Sequence, residues 1–235
     1  MKLHLPLILV IVLSFYQCKS LNNSSNKKGT EDLDITDIEK NIKKYSHRKD
    51  GSNVEIQEND KTLYFADSID EIASIYYSEI DKKMGQSINL FGNKLHGYTK
   101  NSREKNNPII TIKEYYGNKK IKSVSQRYSL LHLEERSQFV EFPIGTAFFY
   151  DIKGSLIKSI DYGKIFKFSY DNVKELLNTK KANQKYIKIQ GSLAANGGAI
   201  WVIDYIDENN DRSYMKIEAT SGKIIIDSHN VKTVE

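Results

Sequence analysis

One cysteine, three prolines and one tryptophan occur in 235 residues. A lone cysteine excludes an internal disulfide and any metal centre built on several thiolates, so the fold must stand on packing. Arginine is scarce as well, at five against thirty lysines. Phosphates and base edges are read by the planar guanidinium fork, so a net charge of +5 carried on lysine describes a solvated surface and no nucleic-acid interface. Gly-x-Ser-x-Gly, His-Glu-x-x-His and a Cys–His pair are all missing. The expectation is therefore a protein without catalysis and without a cofactor. Any two of 30 acidic residues could still meet across a cleft, which keeps an envelope hydrolase as an alternative.

What is present begins with an apolar run from Leu5 to Leu13, followed by Ser14-Phe15-Tyr16-Gln17 and then Cys18. The run is shorter than the roughly 20 residues that cross a bilayer and matches the apolar region of a secretory leader. The position of Cys18 resembles the lipidated cysteine of bacterial lipoproteins, with bulkier residues before it than is usual. That resemblance implies removal of residues 1–17, acylation of Cys18 and a place in the cell envelope, periplasmic or outer-membrane associated. Residues 18–32, with Asn22-Asn23-Ser24-Ser25-Asn26 and Lys27-Lys28-Gly29, bury almost nothing and read as a flexible tether.

With 39% hydrophobic residues the remainder is expected to hold a core, and fifteen tyrosines suit half-buried strand positions. Ile35, Ile38, Ile42 and Tyr45 recur at helical spacing behind Asp34, which predicts a helix over 34–45. Val54 with Ile56, and Leu63 with Phe65, predict two strands around a polar turn. Ser68 and Glu71 form a capping box ahead of the stripe Ile69, Ile72, Ala73, Tyr76 and Ile80, which predicts a second helix.

Three later stretches repeat one scheme of paired large residues, a glycine turn and an alternating strand. They are Leu90 to Thr99, Tyr115 to Val124 and Phe149 to Ile160, and Gly92 and Gly117 stand 25 residues apart. A hairpin of this kind cannot bury its own face, so neighbours must cover it. The three resemble variant MORN repeats of bacterial envelope and antitoxin-like proteins, although the second and third copies lack the glycine that Gly97 supplies in the first. The resemblance covers about a third of the mature chain. It implies a β-scaffold that meets other proteins or a membrane, with no catalytic residue to carry over.

Ser169 is placed to cap a helix through Asn178, and four strands follow: Tyr186 to Gln190, Ala199 to Ile206, Ser213 to Ala219 and Lys223 to Asp227. This order is similar to PepSY-type modules of secreted bacterial proteins, which implies a part that binds or restrains peptidases. The fold expected is α+β, mostly antiparallel hairpins and meander with two or three packed helices. Residues 33–168 would form a helix and the hairpin repeats, and 169–235 the C-terminal module.

Candidate sites are few. Asp207, Asn209 and Asp211 occupy positions one, three and five of a calcium loop, with Glu218 at position twelve, but Arg212 stands where that loop needs glycine. A plain polar turn explains them better, and no metal is expected. His132 has Glu134 and Glu135 nearby but no second histidine, short of the ligands a zinc site needs. Gly191 to Gly198 lacks the lysine of a phosphate loop and reads as a flexible strand connection. Phe148, Tyr150 and Tyr162 on the third hairpin are the protein-contact candidates. The reading reached is a lipid-anchored, protein-binding envelope module, in its narrower form an immunity or antitoxin protein against a secreted toxin. A peptidase inhibitor is the alternative partner reading.

Overall fold

From residue 86 to 161 each strand pairs with the next one along the chain. The computed structural model describes residues 31–36, 54–58, 61–67, 75–81, 86–130, 138–183, 186–194 and 197–229, without the side chains of 54–76, 81 and 229. Thirteen strands join among the described residues. The first seven are β1 (Val54–Glu58), β2 (Lys61–Asp67), β3 (Ile75–Asp81), β4 (Gln86–Asn93), β5 (Gly97–Glu104), β6 (Ile109–Tyr115) and β7 (Ile121–Ser129). Then come β8 (Phe139–Tyr150), β9 (Leu156–Asp161), β10 (Ile187–Leu193), β11 (Ala199–Ile206), β12 (Arg212–Glu218) and β13 (Ile224–His229).

Strands β1 to β9 form an antiparallel meander. The sheet then turns mixed, because β10 lies parallel to the start of β8, Ile189 opposite Val140, before β11 to β13 resume antiparallel pairing. Strand β8 thus carries two partners along one edge: β10 at Phe139–Glu141 and β9 from Thr146 onward. The sheet forks between them.

All buried clusters lie on one side, the front. Alternation in β11 makes Ala199, Trp201, Ile203 and Tyr205 buried, and the last three face the buried Ile217, Met215 and Ser213 on β12 through the register. Over them packs α2 (Tyr170–Thr179), which buries Val173 and Leu177. Ser169 caps this helix: its hydroxyl accepts from the Asn172 amide at 3.3 Å, and the Asn172 side chain accepts from the Ser169 amide at 2.8 Å. Burying each of those two aliphatic side chains contributes about 1.5–3 kcal/mol. The Trp201 indole donates to the Phe168 carbonyl at 2.8 Å, which satisfies its one polar atom. Gly191, expected in a loop, lies inside β10. A Cβ there would stand 2.7 Å from Phe142 and 3.0 Å from Trp201, so the ring stack needs a bare backbone.

A second cluster covers the meander: Leu33, Ile35, Tyr77, Leu90, Tyr98, Tyr115 and Ile121. Residues 31–35 lie across it outside any helix, with Asp32 bridging Lys120 and the Leu33 amide donating to the Lys119 carbonyl at 2.9 Å, and Thr36 is helical. Asp34 does accept from the Thr36 amide as a cap would, at 2.9 Å. The rest of the helix expected over 34–45 falls outside the described residues.

The α+β expectation is overturned. One large mixed sheet dominates, and the complete helices among the described residues are α2 and the single turn α1 (Tyr162–Ile165), capped by Asp161. The helix expected over residues 68–80 shows why. From Ile75 onward that stretch is β3, hydrogen-bonded to β2 on one edge and β4 on the other. The helical stripe placed Ile80 inside, yet it is 42% exposed while Tyr77 is buried, the alternation of a strand. Its two neighbours outweigh local helical spacing, and a run of Ile-Tyr-Tyr suits a pleated surface. Residues 68–74 lie outside the described region.

Candidate functional site

The fork in the sheet makes a cleft that gathers polar and aromatic groups from distant parts of the described chain. Its volume is about 420 Å³, and Arg127, Glu141, Phe142, Tyr162, Gln190 and Ser192 are among its walls. Each arrives for a structural reason. Strand β7 carries Arg127 opposite Pro143, and the parallel register sets Gln190 beside Glu141. Asp161 starts α1 at the end of β9 and thereby turns Tyr162 into the fork.

Arg127 and Glu141 form an ion pair across β7 and β8. Burial raises the Tyr162 hydroxyl above its ordinary range, and the Arg127 guanidinium draws it partly back. Glu141 is the one carboxylate among the cleft's walls and is paired with Arg127. A second groove, about 360 Å³, lies near the β5–β6 turn and includes Arg103, Glu104, Ser102 and Thr111. Arg103 donates from Nε to the Asn107 carbonyl at 2.7 Å and from Nη2 to the Ser129 carbonyl at 3.2 Å. Its Nη1 is buried without a partner, and burial lowers its pKa. Neither cavity assembles the paired carboxylates of a glycosidase-type hydrolase.

The structure disperses the three contact candidates. Tyr162 packs on the α2 cluster and borders the cleft, and Tyr150 packs on the meander cluster. The Tyr150 carbonyl accepts from the Tyr116 hydroxyl at 2.8 Å, which binds the third hairpin to the second. Phe148 is half-buried on β8. Other large apolar groups stand more exposed: Leu95 at 71%, Ile157 at 66%, Tyr186 at 59%, Ile152 at 55%, Leu156 at 54% and Ile225 at 52%, with Phe91 at 44%. Leu156 and Ile157 stand out because β9 pairs with β8 alone among the described strands and forms an edge.

The calcium-loop candidates do not converge. Asp207 Oδ1 accepts from the amides of Asn209 and Asp211, each at 2.9 Å, and so closes the β11–β12 turn on itself. Glu218 stands at the far end of β12, roughly 23 Å from Asp211 at about 3.3 Å per strand residue, and accepts from the Ser221 hydroxyl. Among the described residues no group of three or more His, Cys, Asp or Glu is placed to hold a metal. Cys18 and His132 lie outside the described residues. Among those described, no helix is long and apolar enough to cross a membrane. Comparison with protein-family models, curated proteins and solved structures finds no match to this chain.

Proposed function

We propose that the chain is a non-catalytic cell-envelope lipoprotein, moored through Cys18, that works as a protein-binding module. The observation that carries this reading is the back of the meander. The front is filled by the two clusters, whereas the back exposes Phe91 at 44% and Ile80 at 42%, with half-buried Ile110 and Ile112 on the same side. Further along, the back changes character to Lys188, Asp204, Arg212 and Lys216. Aromatic and aliphatic groups on an extended rigid sheet suit a macromolecular partner, and both cavities lack converging catalytic groups. The contact of neighbouring turns through Gly97 and Gly117 supports the MORN-like reading of the repeats. In its narrower form the partner is a secreted toxin and the protein confers immunity.

A photo-crosslinking residue at Phe91, in cells producing the full chain, is expected to trap one envelope protein. The same probe at Lys188 should trap none, and Phe91→Asp should abolish protection against the toxin-producing neighbour. Equal trapping at both positions, or none at Phe91 in a chain acylated at Cys18, would remove the reading.

A further inference from the structure

The fork is a break in the hydrogen-bond ladder as well as a cleft. Strand β8 pairs with β10 only as far as Glu141 and with β9 only from Thr146, so residues 142–145 have no ladder partner on that edge. Strand β10 likewise runs on to Leu193 beyond Gln190, its last residue in register with β8.

Two bonds fix which way the backbone groups point. The Leu130 amide donates to the Val140 carbonyl at 3.0 Å, which turns the even-numbered residues of this part of β8 toward β7 and leaves the Pro143 carbonyl to the fork. The Ala194 amide donates to the Gly198 carbonyl at 2.6 Å, so Ser192 turns toward β11 while Gly191 and Leu193 turn toward the fork. Pro143 is why the parallel ladder stops. The next bond would carry an amide proton from residue 143 to the Gly191 carbonyl, and proline has none. The carbonyls of Pro143 and Gly191 and the amide of Leu193 therefore face the gap without a ladder partner among the described strands.

We propose that the fork binds an extended peptide, whose main chain enters as a short strand between β8 and β10. A peptide backbone brings amide donors for the two carbonyls and a carbonyl for the Leu193 amide. The size agrees. At about 3.3 Å per residue, 4.8 Å between strands and 10 Å of sheet thickness, a cleft of about 420 Å³ holds roughly three residues. The walls set the kind of peptide. Arg127, Glu141, Gln190 and Ser192 alternate with front-facing neighbours and stand on the back, whereas Phe142 and Tyr162 pack on the α2 cluster at the front. Arg127 and Glu141 are the charged groups of these walls and pair with each other, so the ligand is uncharged, with an apolar residue turned to the front between polar ones. Phe91 stands four strands away on β4, roughly 19 Å at the usual strand spacing, so this site goes beyond the partner surface of the meander and does not depend on it.

The test titrates the isotope-labelled full chain with millimolar acetyl-Thr-Val-Thr-amide, and with the same peptide methylated on its main-chain amides. Resonances of the Leu193 amide and the Gln190 side chain should move with the first peptide, and methylation should weaken binding at least fivefold. Ser192→Trp, at an exposed position, should fill the mouth of the cleft and remove binding, while Phe91→Asp leaves it intact. Equal binding of the two peptides overturns the proposal, because strand pairing then plays no part. So do unmoved Leu193 and Gln190 resonances, unchanged binding to Ser192→Trp, or shifts produced by N-acetylglucosamine and by neither peptide. Crosslinking at Phe91 in the Ser192→Trp chain reports separately on the meander surface, which this outcome leaves untouched.

Discussion

Gly117 approaches Lys94 so closely that the two turns share no room for a side chain: a Cβ on the glycine would stand 1.8 Å from the lysine's carbonyl oxygen. Gly97 stands in the same relation to Tyr115, at 2.2 Å from its carbonyl oxygen. The first two hairpins are therefore joined backbone to backbone, and the glycines mark where.

Gly117→Ala must push these turns apart. The expected loss is about 1–3 kcal/mol of stability, the usual cost of overpacking a rigid site. Gly163→Ala is the control, since its Cβ would meet nothing nearer than the Asp161 carboxylate at 3.4 Å. Urea unfolding of both variants checks this, and equal midpoints would count against the close approach.

The β11–β12 turn should respond to loss of Asp207 but not to calcium. Asp207→Ala removes the acceptor for two backbone amides and is expected to cost on the order of 1 kcal/mol. Millimolar calcium should leave Tm where it was. A rise in Tm with calcium that disappears in Asp207→Ala would reinstate the metal loop.

Alkaline pH should unfold the meander through its tyrosines. Burial first, and then Glu79, push the Tyr77 hydroxyl far above the ordinary range, and burial with Glu31 does the same to Tyr115. The folded chain thus holds these protons more tightly than the unfolded chain. Stability is complete below about pH 10 and falls as pH rises beyond it. Tyr77→Phe and Tyr115→Phe should each flatten that fall, measured as urea midpoints from neutral to strongly alkaline pH. An unchanged slope would show that neither phenol titrates with unfolding.

Local chemistry was enough to place most hairpins and the cap of α2. Gly154 takes the positive φ of +84° that its turn requires, Ser169 begins its helix, and β11 alternates from Ala199 to Ile206 as its side chains demand. These features depend on neighbours a few residues away, and the chain itself spells them out. Ile75–Asp81 was misread because its partners β2 and β4 supply hydrogen bonds on both edges, which periodicity along one segment does not register.

Turns, strand alternation and the scarcity of cysteine that leaves the fold to packing alone are already written in the order of the residues. That β10 lies parallel to β8, that a fork therefore brings Arg127, Glu141 and Tyr162 together, and that Tyr150 packs inward while Leu95 and Ile152 stand out came from the folded chain. The reason is range: a turn is set by torsions of adjacent residues, whereas which face is covered depends on strands far apart along the chain.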